Sequence, residues 1–188
     1  MDLLDITERH LHAAIMTWMD AEELAPFLWA TGENSTATAT PYRADADSEH
    51  LAEILTMLGR LSTAEVVGRT AEAWVAPVDE ARRMDIRLGD QAALDPSIRT
   101  AIIVQACSVS SVEGVAVIAT TGLHDDGERW WDISLPTSMH PSVAGPVQEA
   151  ASLLRPLPPV LSSALPDLAS MAEETMNRMG WTLVTSPS

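Results

Sequence analysis

Apolar and polar positions along this chain are spaced first for helices, then for strands, then for helices again. Near the N-terminus, Leu11, Ile15 and Trp18 recur at helical spacing with Ala14 and Met19 beside them, which predicts an amphipathic helix over about 6–19. Asp5 and Glu8 stand at its start in the D-x-x-E arrangement of a capping box, and Asp20 with Glu23 repeats that signal. The second start is interrupted by Pro26, which lacks the N–H a helix interior needs, so only a short turn ending near Pro26 is expected. Residues 31–47, TGENSTATATPYRADAD, show no period and read as a flexible loop. A second helical stripe follows in EHLAEILTMLGRL: Asp47 or Ser48 caps it, Leu51, Ile54, Leu55 and Leu58 form its apolar face, and Gly59 with Arg60 marks its end.

The middle of the chain reads as strands at 64–77, 98–109, 113–123 and 129–135. The second and third are apolar on both faces and should lie centrally, covered on both sides. Between 100 and 123 the only charge is Glu113, a density low enough for a membrane span, but the serine cluster SVSSVEG and the β-branched flanks predict two strands and a turn instead. The fourth strand alternates: Trp131, Ile133 and Leu135 point one way, Trp130, Asp132 and Ser134 the other. Short turns join the last three strands, so an antiparallel meander of about four strands is expected. A long connection at 78–97 separates the first two and has room for a short helix at 79–86.

The last third is rich in proline. A short helix should begin at Pro146 and end before Pro156, and RPLPP should be extended. Pro166 opens a better helix with Leu168, Met171, Ala172, Thr175, Met176 and Met179 on one face, closed by Gly180. WTLVT can add an edge strand. The fold class is therefore α+β: a meander packed by N-terminal and C-terminal helices, in a single domain spanning 1–188.

Composition narrows the function classes. At 188 residues and 46% hydrophobic, the chain can bury a core without disulfides or metal. Its 27 acidic residues against 11 basic ones, all arginine, give a net charge of −16. Such a chain gains nothing from counterion release and is not expected to bind nucleic acid directly, nor an anionic membrane surface. The arginine-only basic set fits a GC-rich genome, bacterial or phage. The acidic N-terminus MDLLDITERH resembles neither a signal nor a transit peptide, so a cytoplasmic location is expected. Cys107, the only cysteine, sits in an apolar run and reads as a small buried hydrophobe.

The stretch LHDDGERWWDISLP concentrates His124, two aspartates, a glutamate and an arginine before two tryptophans. A metal site would need ligands converging from neighbouring positions that point apart, and the D-x-D-x-D-G spacing of a calcium loop is absent. Asp126-Gly127 is instead a turn signal, and the stretch reads as a charged hairpin tip. Trp130 and Trp131 cannot then share one face, so one of them lies under a helix on the far side of the sheet or at a contact surface. Glu72, inside a strand beside Trp74, is a candidate acid or base, or the partner of an arginine such as Arg99. Arg82, Arg83 and Arg87 could bind an anion, although Asp79, Glu80, Asp85, Asp90 and Asp95 are interleaved with them. The five histidines read as surface or capping residues; His10 and His12, two apart on a helix, do not share a face. No nucleophile elbow, P-loop, dinucleotide fingerprint or zinc motif is present, and no cofactor is expected.

The reading that follows is a non-enzymatic module that binds another protein, with homodimerisation open to it. The alternative is a small hydrolase using Glu72, Arg99 and His124 beside the 78–97 loop. A third is an acidic mimic of nucleic acid, which requires carboxylates arrayed on one face at roughly phosphate spacing; a continuous acidic face from the helices at 6–19 and 49–60 would favour it.

Overall fold

The structure is a computed structural model and describes residues 2–21, 23–41, 50–75, 99–124, 126, 129–138, 141–158 and 160–187. The first helical stripe becomes α1 (Leu3–Ala21), with Ile6, Leu11, Ala14, Ile15 and Trp18 buried. Its cap is Asp2 rather than Asp5: Oδ1 accepts the Leu4 N–H at 2.9 Å. The repeat of the start signal at Asp20 and Glu23 begins no second helix. Residues 23–26 are irregular and lead into strand β1 (Phe27–Thr31).

The loop expected at 31–47 is a hairpin as far as Pro41. Strand β2 (Ser35–Pro41) pairs antiparallel with β1, Leu28 opposite Ala39 and Ala30 opposite Ala37. STATAT does alternate, with β-branched threonines on one side and alanines on the other. Ala37 and Ala39 are fully buried, and their small size lets helix α2 (Leu51–Ser62) lie close on the hairpin. Asp47 and Ser48, the expected caps of α2, lie outside the described residues. The helix is preceded by His50 without a side-chain cap bond and runs past Gly59 to end at Thr63, whose φ of 50° is left-handed.

The four expected strands form as β3 (Val66–Val75), β4 (Arg99–Ser108), β5 (Gly114–Leu123) and β6 (Arg129–Ile133), each antiparallel to the next. The two-residue strand β7 (Thr137–Ser138) pairs beside β6 on β5. Helix α3 (Pro141–Leu154) is kinked at Gly145, so its regular part starts at Pro146 as expected. RPLPP does not begin extended. Its first residues turn, the Leu157 N–H donating to the Leu154 carbonyl at 3.0 Å. Helix α4 (Leu165–Arg178) buries Ala172 and Met176 but leaves Met171 exposed, at odds with the face expected for it. Gly180, at φ 85°, turns the chain into β8 (Trp181–Pro187). The short helix expected at 79–86 lies outside the described residues.

The chain is α+β, and a count of about four strands is too low. Among the described residues eight strands form one open antiparallel sheet, ordered β6-β5-β4-β3-β1-β2-β8 with β7 off that path. The β1–β2 hairpin and the C-terminal β8 extend the meander on one side only. Helix α1 covers one face, where Trp29, Ile102, Val104, Val117 and Trp131 belong to its core. Helices α2, α3 and α4 cover the other, over Leu28, Ala39, Val67, Cys107 and Trp181. Strands β4 and β5 both lie inside the sheet, but only β4 has helices on both faces; β5 is next to the edge, and on the face away from α1 its Ala116, Ile118 and Thr120 are half-buried, short of the two-sided cover expected. Among the described residues, no helix is long and apolar enough to cross a membrane.

Candidate functional site

The two neighbouring tryptophans of β6 settle on opposite faces. Trp131 lies opposite Thr121 on the α1 face and meets Trp18 of α1 edge to face, centroids 5.5 Å apart and planes at 88°. Arg129, two residues earlier on the same face, lies 4.5 Å from the centroid of the Trp18 ring. Trp130 takes the other face, opposite Gly122, where its indole fills the space that any side chain at 122 would need. Arg99, at the start of β4, lies 5.0 Å from the Trp130 ring centroid. On that face α2, α3 and α4 concentrate on β1 to β4 and on β8, so Trp130 stays half-buried outside their layer.

One end of the sheet therefore carries a guanidinium on an indole on each face. Arg99 and Arg129 are both exposed, and among the described residues neither is ion-paired. Contacts of this kind contribute about 0.5–1 kcal/mol at exposed sites. They also restrict the motion of a long cationic side chain. Among the described residues the buried indole N–H groups of Trp18 and Trp131 have no acceptor. Leaving such donors unpaired costs about 1–3 kcal/mol each, which a purely apolar pair would avoid.

Glu72, another sequence-derived candidate, does not join this corner. Glu72 lies on the α1 face, opposite Ile102, whereas Arg99 is on the opposite face, so the two cannot pair as expected. Glu72 Oε2 instead accepts the N–H of the buried Leu24 at 3.1 Å and pins the chain entering β1. Glu72→Ala is expected to lower stability by about 1–3 kcal/mol by orphaning that donor. Glu72→Gln, which keeps an acceptor, should recover most of it; urea denaturation of both variants measures this. His124 is exposed directly after β5, and because Glu72 and Arg99 lie on opposite faces of the sheet the three form no common pocket. Arg82, Arg83 and Arg87 lie outside the described residues. Among the described residues no group of three or more histidine, cysteine or acidic side chains could hold a metal ion. Cys107 is fully buried, and burial raises its thiol pKa to about 11, so it stays protonated.

His10 departs from its expected surface role. It stacks on Trp29 of β1, centroids 3.7 Å apart and planes at 12°, with Phe27 nearby at 6.3 Å. Burial, and then the charge of Arg9, hold its pKa down at about 4. Helical spacing put His10 beside the apolar stripe of α1 rather than on it; only the neighbouring strand shows that this flank is covered. A cavity of about 200 Å³ opens between the ends of α2 and α3, with Arg60 and Arg155 among its lining. Both arginines sit where a helix C-terminus favours a cation, which accounts for them without a ligand. Helices α1 and α2 lie on opposite faces of the sheet, so their acids form no continuous face of the kind a nucleic-acid mimic needs.

No protein-family model matches the chain, and neither curated proteins nor solved structures provide a match.

Proposed function

We propose that the protein is a protein-interaction module whose contact surface is the tryptophan–arginine corner of β4, β5 and β6. The observation that carries this reading is Trp130: half-buried, outside the helix layer, with Arg99, which has no ion pair among the described residues, stacked on its ring. Tryptophan and arginine are the residue types most enriched where binding energy concentrates. A ring seated on Gly122 and a guanidinium seated on the ring are both ordered in advance, so binding loses little side-chain entropy. The scattering of Glu72, Arg99 and His124 supports a binding role over a hydrolytic one, since acid–base chemistry needs such groups within reach of one reacting atom.

Affinity capture of the tagged chain from lysate of its native host, at two salt concentrations and read by mass spectrometry, tests this. A stoichiometric partner is expected with the wild type. Trp130→Ala should weaken its binding by about 2 kcal/mol or more, roughly thirtyfold. Val184→Ser, an exposed change on β8 at the far edge, should leave binding unchanged. Absence of any partner at either salt, or equal capture by the Trp130 variant, sinks the proposal.

A further inference from the structure

Strand β6 is one edge of the sheet. The Ser134 N–H donates to the Ile118 carbonyl at 2.8 Å, in the register that puts Asp132 opposite Thr120 and Trp130 opposite Gly122. Hydrogen-bonded and non-hydrogen-bonded pairs alternate along an antiparallel ladder. The backbone groups of Trp130 and Asp132 therefore turn inward to β5, while those of Arg129, Trp131 and Ile133 turn outward. Among the described residues no strand pairs with that outer side. Within Arg129–Ile133 there is no proline and the register with β5 is unbroken, so this short stretch can accept a partner strand; beyond it the edge is blunted by Pro136 and by a one-residue slip, Ile133 lying opposite Ala119 but Thr137 opposite Ala116. Beside it Ile133 is 55% exposed and Leu135 86% exposed.

We infer that a second copy of this chain pairs there, β6 against β6 in antiparallel fashion, about a two-fold axis through Trp131. The outward backbone groups then meet in matched pairs: Trp131 with its symmetry mate, and Arg129 with Ile133 of the second copy. Between these fall the non-hydrogen-bonded pairs, where opposing side chains come closest. In this register such a pair joins Trp130 to the second copy's Asp132. Both side chains project on the face where Arg99 lies over Trp130. The exposed Asp132 carboxylate is brought beside a guanidinium that has no ion pair among the described residues, and the two-fold axis makes the contact twice. On the α1 face, Ile133 is covered by the aliphatic stem of the opposing Arg129. Sliding the pairing toward Ile133 would set the two Asp132 carboxylates against each other, and sliding it the other way would leave Ile133 beyond the ladder. The charge pattern of β6 thus fits its own copy in one register.

The inference rests on the reading of this corner as a contact surface, and the two fail separately. Sedimentation equilibrium of the full chain, over a wide concentration range at about 0.15 M salt, tests it. There the Debye length of about 8 Å limits repulsion between chains of net charge −16. The wild type is expected to dimerise. Ile133→Pro removes an outward N–H and leaves the ladder to β5 intact, so it should be monomeric with an unchanged far-ultraviolet circular dichroism spectrum. Asp132→Arg should weaken association at least tenfold, and adding Arg99→Asp should restore it. If the proline variant does not fold, the exposed Asp132→Arg change carries the test by itself. A wild type that is monomeric at every concentration, or a dimer equally strong in both single variants, overturns the inference. A monomer that still captures a host protein through Trp130 would do so while leaving the contact-surface reading in place.

Discussion

Trp29→Ala is expected to lower the stability of the fold by about 3–5 kcal/mol, the range for losing a large aromatic from a packed core. Trp29 is fully buried in the middle of the sheet. Its Nε1–H donates to Thr70 Oγ1 at 3.2 Å, and its other face carries the His10 ring. Gly68, directly opposite on β3, leaves the room the indole fills; a Cβ there would collide with the ring. None of these neighbours can move into the space left by alanine, because each is held by backbone in a paired strand or a helix. The loss would be a large part of the 5–15 kcal/mol by which a domain is ordinarily stable. Equilibrium urea denaturation measures it, and a loss below about 1 kcal/mol would contradict this account of the core.

The second large effect is a dependence on pH carried by His10. Its folded pKa of about 4 lies below the unfolded value of 6.5, so the folded state favours the neutral ring. That preference contributes stability in full above pH 6.5 and is lost as pH falls from 6.5 to about 4. The gap corresponds to at most about 3 kcal/mol. The causes are burial against Trp29 and Phe27, which strips water from the imidazolium, and the charge of Arg9. His10→Phe keeps an aromatic ring on Trp29 and cannot titrate. Relative to wild type, the variant should gain stability steadily between pH 7 and pH 4, and the difference cancels the carboxylates that titrate in the same range. Thermal or urea unfolding of both proteins at pH 7, 5.5 and 4 gives the comparison. A difference that does not change with pH would mean that His10 is hydrated in the folded state.

Much of the candidate site was legible in the chain, though not its partners. Alternation along RWWDISLP placed Trp130 and Trp131 on opposite faces, as the register shows. It could not say which arginine would stack on which ring, because Arg99 and Trp130 are far apart in sequence and meet only through the pairing of β4, β5 and β6. The pairing expected between Glu72 and Arg99 failed for a related reason. Their residue types are complementary, but the β3–β4 register puts them on opposite faces. The hairpin of β1 and β2 was missed because alanine is weakly apolar, so the alternation in STATATP looked like small polar chain.

The sequence by itself determined the elements whose hydrophobic period is strong. Helices α1, α2 and α4, strands β3 to β6, and the interior position of β4 follow from local pattern, since a stripe or an apolar strand can be buried in only a few ways. The acid excess is likewise a property of composition alone. The tertiary structure decided what depends on distant segments meeting. It set β1, β2 and β8 alongside β3, buried His10 against Trp29, gave Glu72 the Leu24 N–H as its partner, and left the outer edge of β6 without a paired strand among the described residues. The physical reason is that local pattern records which face of an element avoids water, while the register between strands decides which residues share that face.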